Sequence, residues 1–86
     1  MAKYKAPINV TNKNFDIKHS KNIKDRFFFY NNKISTMLPA AIIQRNGNKH
    51  DVKVLEPQTG EHVTLENKAG TFNEVIALCE RHFNLV

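Results

Sequence analysis

The sequence has one cysteine, no tryptophan, three glycines and three prolines among its 86 residues, and it lacks a long apolar run. No stretch reaches the roughly 18 to 20 consecutive apolar residues that span a bilayer, and the N-terminus lacks the apolar centre of a signal peptide. The lone Cys79 cannot form an intramolecular disulfide. These absences favour a cytoplasmic protein without membrane association.

The chain also lacks the usual patterns of catalytic and cofactor sites. Its glycines stand far apart, at positions 47, 60 and 70, so no glycine-rich loop is present to cradle a phosphate. The four histidines fall in no recognisable catalytic motif. Cys79 and His82 have helical spacing, but a structural zinc site needs four ligands and no second pair matches. We expect no enzyme activity, metal or cofactor, with a small histidine-dependent ribonuclease as the enzymatic alternative.

The net charge of +5 is concentrated near the N-terminus. Residues 1–26 carry seven cations against two acids, whereas the remainder carries six of each. The seven cations are Lys3, Lys5, Lys13, Lys18, Lys21, Lys24 and Arg26. Because lysines near phosphates release condensed counterions, this imbalance indicates a segment that meets nucleic acid. The alternative is that these cations only keep the protein soluble.

The N-terminal third begins with an irregular stretch and continues with short alternating segments. Residues 1–7 lack periodicity and are expected to form a frayed basic arm, followed by a single domain over residues 8–86. Apolar residues alternate with polar ones at Ile8 and Val10, and again at Phe15 and Ile17. This alternation predicts edge or half-buried strands.

An aromatic run follows at residues 26–30, which read Arg-Phe-Phe-Phe-Tyr. Aromatic side chains favour a β-strand, and Asn31 with Asn32 tolerates the left-handed backbone of a tight turn. The sequence therefore predicts a hairpin in which residues 33–37 return antiparallel.

Alternation along this hairpin separates its side chains into two sets. One face carries Phe27, Phe29 and Ile34. The other carries Phe28, Tyr30, Lys33 and Ser35. Aromatic rings beside cations on a sheet can stack on single-stranded bases, so Phe28 and Tyr30 are candidate contacts. In the competing interpretation both faces are covered and the run is a central buried strand.

The second half of the chain predicts three more strands. Residues 40–45 form a short buried strand after Pro39, and Asn46-Gly47 is a turn signal. Residues 50–56 and 61–66 then form a hairpin around a four-residue loop. This register pairs Val54 with Val63, Val52 with Leu65 and Lys53 with Thr64.

A helix is predicted to begin at Thr71. Glu74 follows Thr71 by three residues, the spacing of a capping box, in which each side chain binds a backbone N–H of the first turn. One helical face carries an apolar stripe that should pack on the core, formed by Phe72, Val75, Ile76, Cys79, Phe83 and Val86. Leu78 and Leu85 lie seven residues apart outside this stripe and are candidate contacts for a protein partner or a second copy.

Together these patterns predict an α+β fold: an antiparallel, strongly curled or barrel-like sheet of four to five strands with one C-terminal helix. The leading hypothesis is a small non-enzymatic module that binds nucleic acid through its basic N-terminal segment. The candidate contacts are Lys13, Lys18, Lys21, Lys24, Arg26, Phe28, Tyr30 and Lys33. The alternative is a protein-binding inhibitor or regulator, encoded by a phage or mobile element, that acts on a host protein through a sheet edge or the helix.

Overall fold

The computed structural model describes residues 14–34 and 37–85, which form one antiparallel sheet and one helix. The elements are β1 (Phe15–His19), β2 (Arg26–Asn31), β3 (Ala41–Asn46), β4 (Lys49–Glu56), β5 (Glu61–Glu66) and α1 (Phe72–His82). The predicted arm at residues 1–7, the strand at Ile8 and Val10, and Lys13, Ser35 and Val86 lie outside the described residues. Among the residues described, no helix is long and apolar enough to cross a membrane.

The sheet is an open meander. Each strand pairs with the next in the chain, giving the order β1-β2-β3-β4-β5, and among the described strands β1 and β5 are the first and last. The predicted α+β class, antiparallel sheet and single helix are confirmed. The expectation of a strongly curled or barrel-like sheet is wrong. A barrel requires its first and last strands to share hydrogen bonds, and β1 and β5 do not pair.

The hydrophobic core lies between α1 and one side of the sheet, which we call the core face. Phe27 and Phe29 point to this side from β2, and each is at most 1% exposed. Their cross-strand partners on β3 are Ile43 and Ala41, both buried. Val52 continues the same layer on β4, opposite Ile43. The predicted alternation of β2 is therefore confirmed for its buried side.

Aromatic contacts join α1 to the core face. The Phe72 ring at the start of the helix meets Phe27 edge-on at 4.8 Å between centroids. Phe83, just after the helix, stacks on Phe29 at 5.8 Å, and Phe15 stacks on the same ring at 4.8 Å. Such pairs add to the free energy gained from burying the rings. The helix thus covers one side of the sheet.

The predicted hairpin over residues 33–37 is wrong. Asn31 remains in β2 opposite Phe15 and is only 4% exposed, and it begins a turn in which the Ile34 N–H donates to the Asn31 carbonyl at 2.9 Å. β2 pairs with β1 along one edge and, from Arg26 to Phe29, with β3 along the other, so Phe29 has Ala41 and not Ile34 as its partner on that edge. Ile34 is consequently 78% exposed instead of sharing the core face with Phe27.

The hairpin of β4 and β5 is confirmed with one change of register. Val54 lies opposite Val63, and Lys53 opposite Thr64, as predicted. The predicted pairing of Val52 with Leu65 is wrong, because Val52 lies opposite Glu66. A β-bulge between Val52 and Lys53 places one extra residue on β5, which hydrophobic alternation alone does not reveal.

The helix begins as predicted. The Glu74 backbone N–H donates to the Thr71 hydroxyl at 3.3 Å, and the Thr71 backbone N–H donates to the Glu74 carboxylate at 3.0 Å. This reciprocal pair is a complete capping box. The residues of α1 that are buried are Phe72, Val75, Ile76 and Cys79.

The helix ends earlier than the apolar stripe implied, which corrects the position of Leu85. Asn84 adopts a left-handed backbone with φ of 56°. The Leu85 N–H donates to the Glu80 carbonyl at 2.8 Å, and the Asn84 N–H donates to the Arg81 carbonyl at 3.3 Å. This is a Schellman motif, which turns the chain back toward the helix. Leu85 is therefore part of the core and only 4% exposed. Leu78 is partly buried and packs against the core.

Candidate nucleic-acid interface

The side of the sheet away from α1, which we call the open face, carries a row of aligned side chains. The register places Lys18 beside Phe28, Phe28 beside Ile42, Ile42 beside Lys53 and Lys53 beside Thr64. Phe28 and Ile42 are half-buried, whereas both lysines are exposed. In this row the apolar side chains of Phe28 and Ile42 therefore lie between two lysines.

Tyr30 extends this apolar part of the row along β2. Its ring is half-buried, and it lies on the open face because it is two residues from Phe28. The Lys18 ammonium nitrogen lies 5.2 Å from the centroid of the Tyr30 ring, within the range of a cation–π contact. Among the residues that the structure describes, neither Phe28 nor Tyr30 belongs to the buried core or packs against it. The two aromatic rings are therefore partly accessible on the open face.

Arg26 is held in place at the other end of β2. Its Nε donates to the Gln44 side-chain oxygen at 3.0 Å, and the Gln44 amide nitrogen donates to the Lys24 carbonyl at 3.1 Å. Gln44 lies directly opposite Arg26 on β3. Within the described part of the chain, the Arg26 side chain makes no other hydrogen bond. Its terminal N–H groups are available for an anion.

Charge on the open face is mixed: cations lie on β1, β2 and β4, and acids lie on β1 and β4. Asp16 lies opposite Tyr30 at the β1 edge. Asp51 on β4 is occupied by local contacts, since one carboxylate oxygen accepts the Lys68 backbone N–H at 2.8 Å and the other accepts from Asn46 at 3.3 Å. The Lys53 side chain forms no hydrogen bond or ion pair among the described residues. The Tyr30 ring therefore has charges of both signs near it, with Lys18 over the ring and Asp16 on the neighbouring strand.

Two of the histidines and the cysteine make contacts within the fold. The His50 ring is buried against Phe72, and its Nδ1 donates to the Gly70 carbonyl at 3.0 Å. His62 donates through Nε2 to the Pro39 carbonyl at 2.9 Å. Burial raises the pKa of the Cys79 thiol to about 12. A thiol with so high a pKa is almost entirely protonated near neutral pH and is a poor nucleophile.

The residues described include no group of three or more potential metal ligands. No protein family, curated protein or solved structure matches this chain.

The structure brings together several of the predicted contacts and separates others. Lys18, Arg26, Phe28 and Tyr30 share the open face. Lys21 and Lys24 are exposed in the loop between β1 and β2. Lys33 is exposed in the turn after β2 and does not form the predicted strand pair beside Tyr30.

Three further residues of the interface were not among the predicted contacts: Ile42, Gln44 and Lys53. The sequence did indicate the position of Lys53, because alternation along β4 and β5 predicts that Lys53 and Thr64 lie on the face away from the core. Ile42 and Gln44 could be assigned only once the pairing of β2 with β3 was known.

The predicted partner ridge of Leu78 and Leu85 does not form an exposed surface. Leu85 lies in the core and Leu78 packs against it. Exposed apolar side chains lie elsewhere. Between β2 and β3, Ile34, Met37 and Leu38 are 78%, 90% and 48% exposed, while Ile23 and Val63 are 42% and 43% exposed.

Proposed function

We propose that this protein is a non-enzymatic module that binds nucleic acid on the open face of its sheet. The observation that supports this proposal most directly is the placement of Phe28 and Tyr30, both partly accessible, beside Lys18 and Arg26. Aromatic rings on a sheet bind bases by stacking, and neighbouring cations bind the phosphates between them.

The charge distribution supports the same proposal. Lys21 and Lys24 are exposed in the loop that leads into β2, next to Arg26. Together with Lys18 and Lys53, these residues give five cations on or beside the open face. If each neutralises one phosphate of a single strand at about 0.7 counterion per contact, log K falls with log[salt] at a slope of about −3.5. Affinity should then drop about 100-fold between 50 and 200 mM salt.

A salt titration tests this function. Fluorescence anisotropy of labelled oligonucleotides, single-stranded and duplex, is measured with the purified protein at several salt concentrations. We expect salt-dependent binding, and Lys18→Gln or Lys53→Gln should each reduce the slope by about 0.7. The matched control is Arg81→Gln, which removes an exposed charge from α1 on the other side of the sheet and should leave the slope unchanged. The absence of salt-dependent binding up to millimolar protein contradicts the proposal.

A second candidate function, a protein-binding regulator of a host protein, is favoured by an apolar cleft of about 320 Å³ at one end of the sheet. Its lining includes Ile34, Leu38, Leu55, Pro57 and Phe83. Solvent-exposed apolar side chains around a cleft are typical of protein contact sites.

This candidate differs from the first in its response to nuclease. Protein capture from a bacterial lysate, with and without nuclease, separates the two functions: a protein partner retained after nuclease treatment and lost in Leu38→Asp supports the regulator. Capture that requires intact nucleic acid, or that Leu38→Asp leaves unchanged, argues against it.

A further inference from the structure

We infer that the ligand of the open face is single-stranded nucleic acid, with two consecutive bases stacked on Phe28 and Tyr30 and the adjoining phosphate bound by Arg26. This inference rests on the proposed function and narrows its ligand. It depends on three features at and beside β2: the spacing of the two rings, the β1 lysine over one of them, and the hydrogen bonds that hold the arginine.

The ring spacing distinguishes single strands from duplexes. Phe28 and Tyr30 are two residues apart, so their side chains leave the strand about 6.8 Å apart, twice the rise of about 3.4 Å per residue. Consecutive bases along each strand of a duplex are separated by about 3.4 Å. Bases that occupy both rings must therefore be pulled apart from each other. A single strand does this readily, whereas a duplex would have to lose stacking and pairing.

In the free protein the Lys18 ammonium group lies over the Tyr30 ring, with its nitrogen 5.2 Å from the ring centroid. An exposed cation–π contact changes an equilibrium by about 2- to 5-fold, whereas stacking of one base changes it by about 5- to 150-fold. A base therefore displaces the ammonium group from the ring. Lys18 is exposed and long enough to move to a phosphate of the same strand.

Gln44 acts as a positioning residue for Arg26. Its side-chain oxygen accepts from Arg26 Nε, and its amide nitrogen is fixed on the Lys24 carbonyl. This arrangement leaves the two terminal nitrogens of the guanidinium free to bind phosphate oxygens in the bidentate geometry that arginine favours. Arg26 lies two residues from Phe28 along β2, so a phosphate bound there adjoins the base on Phe28.

The first experiment compares substitutions that keep and remove each ring. Binding of labelled (dT)10, (rU)10 and a 10-base-pair duplex is measured for Phe28→Leu against Phe28→Tyr, and for Tyr30→Leu against Tyr30→Phe. We expect the leucine variants to lose about 5- to 150-fold in affinity for single strands. The ring-retaining variants should stay within about twofold of the original protein, and the duplex should bind more weakly than either single strand.

A second measurement does not depend on the folding of the leucine variants. The chain has no tryptophan and two tyrosines, Tyr4 and Tyr30, so its intrinsic emission is tyrosine fluorescence. Stacking of a base on Tyr30 should quench this emission when (dT)10 saturates the protein. The quenching should persist in Tyr4→Phe and disappear in Tyr30→Phe.

The role of Gln44 has its own test. Gln44→Leu should reduce the salt slope by about 0.7, as Arg26→Gln does, and the double variant should show no further reduction. Additive reductions, or an unchanged slope in Gln44→Leu, contradict a positioning role.

Failure of this inference can be distinguished from failure of the proposed function. If the original protein binds with salt dependence but prefers duplex, or if ring removal has no effect and Tyr30 is not quenched, the single-strand inference is overturned while nucleic-acid binding stands. If no oligonucleotide binds, both are overturned.

Discussion

Replacing Thr71 with alanine removes one half of the hydrogen-bond pair that begins α1, and we expect the domain to unfold at a lower temperature. In the structure, the Thr71 hydroxyl accepts from the Glu74 N–H at 3.3 Å, while the Glu74 carboxylate accepts from the Thr71 N–H at 3.0 Å. Loss of an N-cap side chain costs about 1 kcal/mol of folding free energy. For a domain of this size, that corresponds to a fall in Tm of about 4 to 8 °C.

The effect should reach the whole domain, because α1 supplies Phe72, Val75 and Ile76 to the core and cannot fray without exposing them. Thermal unfolding followed by circular dichroism measures the change. Thr71→Ser keeps the hydroxyl and is the matched control, expected to retain most of the stability. A shift below about 1 °C in Thr71→Ala, or an equal loss in Thr71→Ser, would refute the assignment of stability to the cap.

Three further predictions concern the same end of the molecule and the core. The hydrogen bond from the Thr71 backbone N–H is the main cause that lowers the pKa of Glu74 below its ordinary value of 4.5. The stabilising contribution of the Glu74 carboxylate is therefore present above pH 4.5 and is lost as the pH falls through the lower folded pKa. Glu74→Gln should flatten this part of a plot of folding stability against pH. Gly70→Ala should lower the denaturant midpoint, because φ is 143° and an added Cβ would approach the Glu74 carboxylate to 2.9 Å. Gly47→Asn should cost less, because asparagine tolerates the left-handed backbone that Gly47 adopts with φ of 66° and nothing lies within 4 Å of a Cβ there. The buried Cys79 thiol should react with a thiol reagent only as fast as the protein opens, and fast labelling of the native protein would contradict its burial.

The features that the sequence predicted correctly are mostly local. The capping box at Thr71 and Glu74 depends on residues three apart, and the four-residue loop between β4 and β5 fixes the pairing of Val54 with Val63. Alternation along β2 also separated Phe27 from Phe28 correctly, because side-chain direction in a strand does not depend on which strand lies beside it.

The errors arose where a local signal competed with pairing partners farther along the chain. Asn31 and Asn32 suit a tight turn, yet β2 finds its second partner in β3, beginning at Ala41. The position of Leu85 depended on the left-handed residue Asn84, which ends the helical periodicity. The extra residue in β5 likewise leaves no mark in the apolar pattern.

The candidate interface could be anticipated only in part, for the same reason. Phe28, Tyr30, Lys18 and Arg26 were identified from composition and alternation along adjacent segments of the chain. Gln44 on β3 accepts a hydrogen bond from Arg26 on β2, although the two residues are eighteen positions apart in the sequence. No local pattern links them. Pairing between strands, and with it the row of side chains across the open face, becomes visible only in the folded sheet.

The meander order of the strands has a consequence for how the molecule is assembled. Because every strand pairs with its immediate predecessor, contacts between strands are short-range in sequence, which is the pattern of domains that fold rapidly. α1 packs on the side that carries Phe27 and Phe29, so among the described residues the segment after Gly70 covers that side and leaves the opposite side of the sheet uncovered.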